Sequence, residues 1–250
     1  MSQQNSPKAL EIKNLRKAFN EKTAVDNLNL SLPRGEFYAF LGANGAGKTT
    51  SMRMIGGLLA PDSGSINVYG IDVGEKPQEA KSLMAWLPDE PLLYDKLSPI
   101  EYLEFVAGLW QVDNNIAANR AEDLLKRFDL WDVREQRCEG FSRGMKQKTA
   151  IAGALLHDPK LLLMDEPFSG LDAAIARDLK DLLQEKCKEG ATIILTTHIM
   201  EIAQKLANKI GIIHKGVLLS EGTLDEIRHE QKMHDASLED IFLKLVDERA

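Results

Sequence analysis

Phe37-Tyr38-Ala39-Phe40-Leu41-Gly42-Ala43-Asn44-Gly45-Ala46-Gly47-Lys48-Thr49 decides how this chain folds. Its first five residues are apolar and aromatic and read as a buried strand. The remainder matches G-x-x-x-x-G-K-[ST], a phosphate-binding pattern. Binding several negative oxygens packed within a few ångströms takes many donors and little side-chain bulk. Gly42, Gly45 and Gly47 let the backbone curl so that successive N–H groups point inward as an anion nest. Lys48 adds a point charge for the outer phosphates, and the Thr49 hydroxyl suits Mg²⁺. Thr50 and the residues after it read as a helix, whose N-terminus adds free N–H groups and a favourable dipole.

The bulk numbers bound the rest. A chain of 250 residues is enough for one large domain or two small lobes, and 44% hydrophobic content supplies a normal core. The net charge is −7 and the basic residues are scattered, so a surface that coats nucleic acid is not expected. No apolar run approaches the ~20 residues of a membrane span. The polar start, Met1-Ser2-Gln3-Gln4-Asn5-Ser6-Pro7, does not read as a secretory signal. Cys138 and Cys187 lack metal spacing and fit free thiols in a reducing cytosol. The five histidines form no ligand pattern either.

Outward from the loop, residues 10–15 and 24–32 alternate and predict strands before the Pro33-Arg34-Gly35 turn. A helix is expected to run to about Leu59 and stop near Pro61-Asp62-Ser63-Gly64, with a short strand over Ser65–Tyr69. From about 98 to 158 the pattern is helical, opened by Ser98-Pro99-Ile100-Glu101, a cap with proline at the first position and a glutamate that can reach back. Leu161–Met164 and Thr192–Leu195 are continuous apolar runs that suit a covered parallel sheet, with a helix over Ala173–Lys188 between them. Ile210–His214 and Val217–Ser220 flank Lys215-Gly216 as a hairpin, and capping sequences at Thr223 and Ser237 start two terminal helices. The expected fold is a mixed α/β core with a helical insertion at about 90–158.

Four further elements narrow the chemistry. Leu161–Glu166 is an apolar strand ending in two carboxylates. Asp165 suits Mg²⁺, directly or through water, and Glu166 suits polarising an attacking water. Ser169-Gly170-Leu171-Asp172 follows at once. A second strand, Thr192–Thr197, ends in His198, and Phe141-Ser142-Arg143-Gly144-Met145 precedes them all.

With these motifs in this order, residues 9–223 resemble the ATP-binding-cassette (ABC) ATPases, the nucleotide-binding subunits of ABC transporters. The resemblance implies an α/β phosphate-loop core of ABC type, with an N-terminal antiparallel β-subdomain and an inserted helical subdomain. Residues 1–250 would be one nucleotide-binding domain, with a helical tail from about 223. It also implies ATP and Mg²⁺, and two cassettes packed head to tail. Asn44, Gly45, Ala46, Gly47, Lys48, Thr49 and Thr50 then hold phosphate. Asp165 associates with Mg²⁺, Glu166 is the catalytic base and His198 the switch histidine. Ser142 and Gly144 meet the partner's γ-phosphate, and Asp172 closes the loop that communicates across the dimer. Phe19 would stack on adenine, and Val25 joins the ATP contacts.

Three departures stand out. Arg143 and Met145 replace a glycine and a glutamine of the usual Leu-Ser-Gly-Gly-Gln; Arg143 either adds charge near ATP or points to solvent. Asp89, in Trp86-Leu87-Pro88-Asp89-Glu90, stands where the family has a glutamine; it can still ligate Mg²⁺ but brings negative charge. The chain holds one cassette and no membrane segment, which implies a second ATPase subunit, identical or paralogous, and a separately encoded permease. That would place it in the cytoplasm, on the inner face of the cell membrane. Ser237–Leu245 and Tyr94–Pro99 resemble the bacterial exporter branch, and Trp86, Leu92, Leu93, Tyr94 and Tyr102 are candidate anchors for the permease. A soluble cassette ATPase, or a regulator that binds ATP and hydrolyses it poorly, is the alternative.

Overall fold

Strand and helix boundaries follow the burial pattern closely in the computed structural model, which describes residues 8–90 and 92–247. The N-terminal stretch Met1–Pro7 and the end of the tail lie outside the described residues. β1 (Lys8–Phe19) and β2 (Lys22–Pro33) run antiparallel around a tight turn, Phe19 facing Lys22. Leu28, Leu30 and Leu32 are buried while Asn27 and Asn29 are exposed, the signature of a sheet with one wet face. β3 (Phe37–Leu41) is buried throughout and leads through the glycine loop into α1 (Lys48–Ile55). Then come β4 (Ser63–Val68), β5 (Ile71–Asp72), α2 (Pro77–Ser82) and β6 (Met84–Leu87). β4 starts at Ser63 rather than Ser65. Trp86 and Leu87 close a strand, leaving only Pro88, Asp89 and Glu90 of the expected loop outside it.

The helical insertion comprises α3 (Pro99–Leu109), α4 (Asn114–Arg127) and α5 (Arg143–Leu156). The Ser98–Glu101 capping box forms in both directions. β7 (Leu161–Asp165), α6 (Ala173–Lys188), β8 (Thr192–Thr196), α7 (Met200–Leu206), β9 (Lys209–His214) and β10 (Val217–Gly222) complete the core. β8 stops at Thr196, so His198 sits in the turn beyond the strand. α8 (Leu224–Glu230) and α9 (Leu238–Asp247) form the tail, started by capping bonds at Thr223 and Ser237.

Two sheets result. One is antiparallel, ordered β2-β1-β4-β5; the other is ordered β10-β9-β3-β8-β7-β6, parallel apart from β10. The residues of β7 alternate between two cores. Leu162 and Met164 face the helical insertion, packing with Leu103, Leu125, Phe128 and Leu156. Leu161 and Leu163 face α1 and the antiparallel sheet, packing with Met52, Met54, Met84 and Leu10. Ile227, Leu238, Ile241 and Leu245 of the tail cover Ala39, Leu41, Ile210 and Ile212. Each fully buried leucine contributes ~1.5–3 kcal/mol, so the helical insertion is anchored firmly to the sheet.

Candidate active site

The C-terminal ends of β3, β8 and β7 lie side by side, at the edge where ligands meet an open parallel sheet. Lys48 Nζ folds back over its own loop and donates to the carbonyls of Gly42 (2.6 Å) and Ala43 (3.2 Å). Burial pulls this ammonium below the usual lysine range, opposed by the charges of Glu166 and Asp165. Gly47 has φ 112°, and a Cβ there would stand 2.5 Å from the Ala24 carbonyl; only glycine lets β2 come this close. The Gly216 N–H donates to Ala46 O (2.8 Å) while its carbonyl accepts from Asp26 N–H (2.9 Å), so the β9–β10 hairpin straps the loop to β2.

Asp165 is nearly buried, and each of its oxygens has a hydroxyl donor. Thr49 Oγ1 donates to Oδ2 at 2.8 Å, and Thr196 Oγ1 donates to Oδ1. Glu166 follows with φ 48°, a left-handed conformation that costs ~1–3 kcal/mol for a residue with a side chain. Its N–H donates to Thr196 O at 3.1 Å, which holds the turn. Its Oε1 lies 3.0 Å from His198 Nδ1, the histidine otherwise projecting into solvent.

A cavity of about 400 Å³ opens above these groups, lined by Asn44, Lys48, Thr49, Asp89, Asp165 and Glu166 among others. Arg53 also lines it. Sequence reading did not select Arg53, although its position one helical turn after Thr49 was the available signal. Thr50 is half-buried on α1, Gly45 is exposed and Ala46 is buried. Phe19, Ser142 and Gly144 stand outside the cavity. Phe19 is exposed at the end of β1, with Lys17 Nζ 5.6 Å from its ring centroid. Val25 is fully buried in the cluster that contains Ala46, so it supplies floor beneath the loop rather than a face towards the cavity.

Ser142 caps α5 by accepting the Met145 N–H at 3.3 Å, which leaves its hydroxyl proton free to donate. Gly144 abuts the loop after β7: a Cβ there would meet Gly170 O at 2.6 Å. Arg143 lays its stem along Gly170 and brings Nη2 to 3.4 Å from Asp89 Oδ1, so it is paired rather than loose in solvent. Asp172 caps α6 by accepting from Ala174 and Ile175, and the Ile175 N–H holds its carboxyl below the usual range.

A parallel sheet, an anion-nest loop opening a helix, and paired carboxylates ending a neighbouring strand define a nucleotide-hydrolysing protein of the phosphate-loop class. The family described as "ABC transporter" matches residues 25–169, and the chain belongs to that family. The ABC transporter ATP-binding protein NatA of Bacillus subtilis (strain 168) is 40% identical over 213 residues, 85% of this chain and 87% of NatA. The linearmycin resistance ATP-binding protein LnrL of the same organism is 36% identical, over 87% of this chain and 70% of LnrL. A solved ATP-binding subunit of an ABC transporter superposes with a TM-score of 0.91 at 33% identity, covering 95% of this chain and 99% of that one. The chain is accordingly an ABC-type ATPase with exporter-like relatives. Among the described residues no helix is long and apolar enough to cross a membrane.

Proposed function

We propose that this chain is the ATPase subunit of an exporter. Residues 1–250 form one nucleotide-binding domain, with 90–158 its helical subdomain and 223–250 its tail. Two copies, or this chain and a paralogue, pack head to tail around two ATP–Mg²⁺ in the cytoplasm. Closure and reopening drive a separately encoded permease in the cell membrane. Relatives named for linearmycin resistance, daunorubicin resistance and bacitracin transport support the export direction. The net charge of −7 supports no nucleic-acid role.

The single observation that carries the catalytic reading is the Glu166–His198 contact beside Lys48 and Asp165. Glu166 accepts a proton from water as the water oxygen bonds to the γ-phosphorus and the bond to the β-phosphate oxygen breaks. His198 fixes the carboxylate that takes the proton. Lys48 exchanges its loop carbonyls for phosphate oxygens, and the free hydroxyl proton of Ser142 donates to the partner's ATP. Thr49, Asp165 and Asp89 offer oxygen donors only, a set that fits Mg²⁺ arriving with the phosphates, where it neutralises their charge. Phe19 stacks on adenine.

For the permease, Leu92 and Tyr94 are 79% and 60% exposed, and Phe105 and Leu109 continue the apolar surface; Tyr94 and Phe105 meet edge to face. Trp86, Leu93 and Tyr102 are instead partly buried packing. The test is a pull-down of tagged Glu166→Gln from detergent-solubilised membranes with ATP–Mg²⁺. A stoichiometric polytopic membrane protein supports the reading. Recovery as a soluble dimer alone overturns the transporter part.

A further inference from the structure

We propose that Asp62 is the positioning residue of the base-binding platform: it fixes Lys17 and the Ala18 backbone so that Phe19 offers a ring face to a purine. This deepens the reading of Phe19 given above and rests on it.

Asp62 lies in the loop between α1 and β4, immediately before Ser63 and far from β1 in sequence. It nevertheless bonds to each of the residues leading to Phe19. Its N–H donates to Arg16 O at 2.9 Å, Lys17 Nζ donates to Oδ1 at 2.7 Å, and Ala18 N–H donates to Oδ2 at 2.7 Å. The sheet holds this strand end on one side only: the ladder to β2 runs on through the pairs Ala18–Thr23 and Phe19–Lys22, whereas the pairing with β4 ends at Arg16 and Ser63. β1 slips against β2 between Lys17 and Ala18, and against β4 between Lys13 and Arg16. A slip locally disrupts the ladder, and beyond Arg16 the edge of β1 turned away from β2 needs another group to take the Ala18 N–H. Asp62 supplies it.

The same carboxylate aims the Lys17 side chain. Its ammonium lies 5.6 Å from the Phe19 centroid, and the side chain is only 15% exposed. A cation over one face of an aromatic ring is attracted to it and orients it. Phe19 remains 48% exposed, an apolar ring at the tip of the β1–β2 hairpin. A purine, which brings a π-face, is the chemistry that fits. The Lys17 ammonium, followed by the Ala18 N–H, holds the Asp62 carboxyl below the usual range, so the acceptor is charged wherever ATP is bound.

The experiment compares calorimetric affinities for ATP and for inorganic tripolyphosphate, which engages the phosphate loop without a base. Phe19→Ala is expected to weaken ATP about tenfold or more and leave tripolyphosphate unchanged. Asp62→Ala is expected to weaken ATP about three- to tenfold, with tripolyphosphate unchanged, KM raised and kcat kept. Added to Phe19→Ala, it should cost nothing further, because both remove one platform. Asp62→Asn, which keeps an acceptor for Ala18, should recover part of the loss. Lys17→Met, which leaves the Ala18 bond intact, should show the same base-dependent loss and serves if Asp62→Ala does not fold. Equal losses for both ligands would make Asp62 merely structural and overturn the proposal. Loss with Phe19→Ala but none with Asp62→Ala or Lys17→Met would overturn it while leaving the platform standing. No loss with Phe19→Ala would remove the platform reading itself, and the proposal with it.

Discussion

Arg143, at the start of the helix after Ser142, directs its guanidinium at Asp89 in the loop beyond β6, Nη2 to Oδ1 at 3.4 Å. Each residue departs from the pattern that its family resemblance implies, and the two departures meet in space. Asp89 brings a negative charge to the cavity beside the phosphate loop, and Arg143 counters it. Both side chains are more than half exposed (59% and 52%), so the pair contributes no more than ~1 kcal/mol to stability. Its consequence is electrostatic. Arg143→Ala should leave the melting temperature nearly unchanged and raise KM for ATP about fivefold, the effect of one unit charge ~4 Å away in water. Adding Asp89→Gln should bring KM back. Identical KM values in all three proteins would show that the pair does not act on the nucleotide.

Glu166→Gln should lower turnover by about 10²–10⁴-fold, the usual contribution of a general base, with ATP affinity retained. His198→Ala should lose less alone and add little to Glu166→Gln, because the histidine acts on the same carboxylate. Steady-state rates and nucleotide titrations decide this. An unaltered rate in Glu166→Gln removes it as the base.

Gly144→Ala tests the contact with the loop after β7. The added methyl would stand 2.6 Å from the Gly170 carbonyl, which is backbone and cannot turn aside. A loss of ~1–3 kcal/mol in urea denaturation is expected, with reduced turnover. Gly108→Ala is the control. A Cβ there meets nothing within 4 Å, so that helix should gain ~0.5–1 kcal/mol. Equal behaviour of the two variants would contradict the packing.

The thiols set a pH dependence. Burial pushes Cys138 up from 9.0 to about 11 and Cys187 to about 12. Above 9 the unfolded chain has released these protons while the folded protein keeps them. The unfolded state then binds fewer protons, and stability falls as pH rises from 9 towards 11. Below pH 8 the thiols contribute no slope. Melting temperatures across this range check the sign, and native protein at pH 8 should resist maleimide until denaturant is added.

The legible parts of this fold are local ones. The glycine loop, the two carboxylates at the end of β7 and the capping sequences at Ser98, Thr223 and Ser237 each declare themselves within a few residues, and the three capping bonds form as expected. β5, α2 and α7 leave no periodic signal in the sequence, because two to seven residues are too few to show one. Trp86 and Leu87 read as loop in the sequence because an edge strand of four residues looks the same there. The site's supports were hidden for a different reason. Arg143 meets Asp89 across 54 positions, and Asp62 meets Ala18 across 44, through side chains whose spacing carries no pattern. Arg53 was the exception, within reach of a helical-turn count.

The strap from Gly216 to Ala46 and Asp26 also has a consequence for synthesis. A ribosome makes the glycine loop well before its fastener. Until β9 and β10 have emerged, the loop has neither its neighbouring hairpin nor the bond that closes it onto β2. Nascent chains arrested at successive lengths should therefore take up a fluorescent ATP analogue only once residues beyond Gly222 are free of the exit tunnel. Uptake by shorter chains would show that the loop forms without its strap.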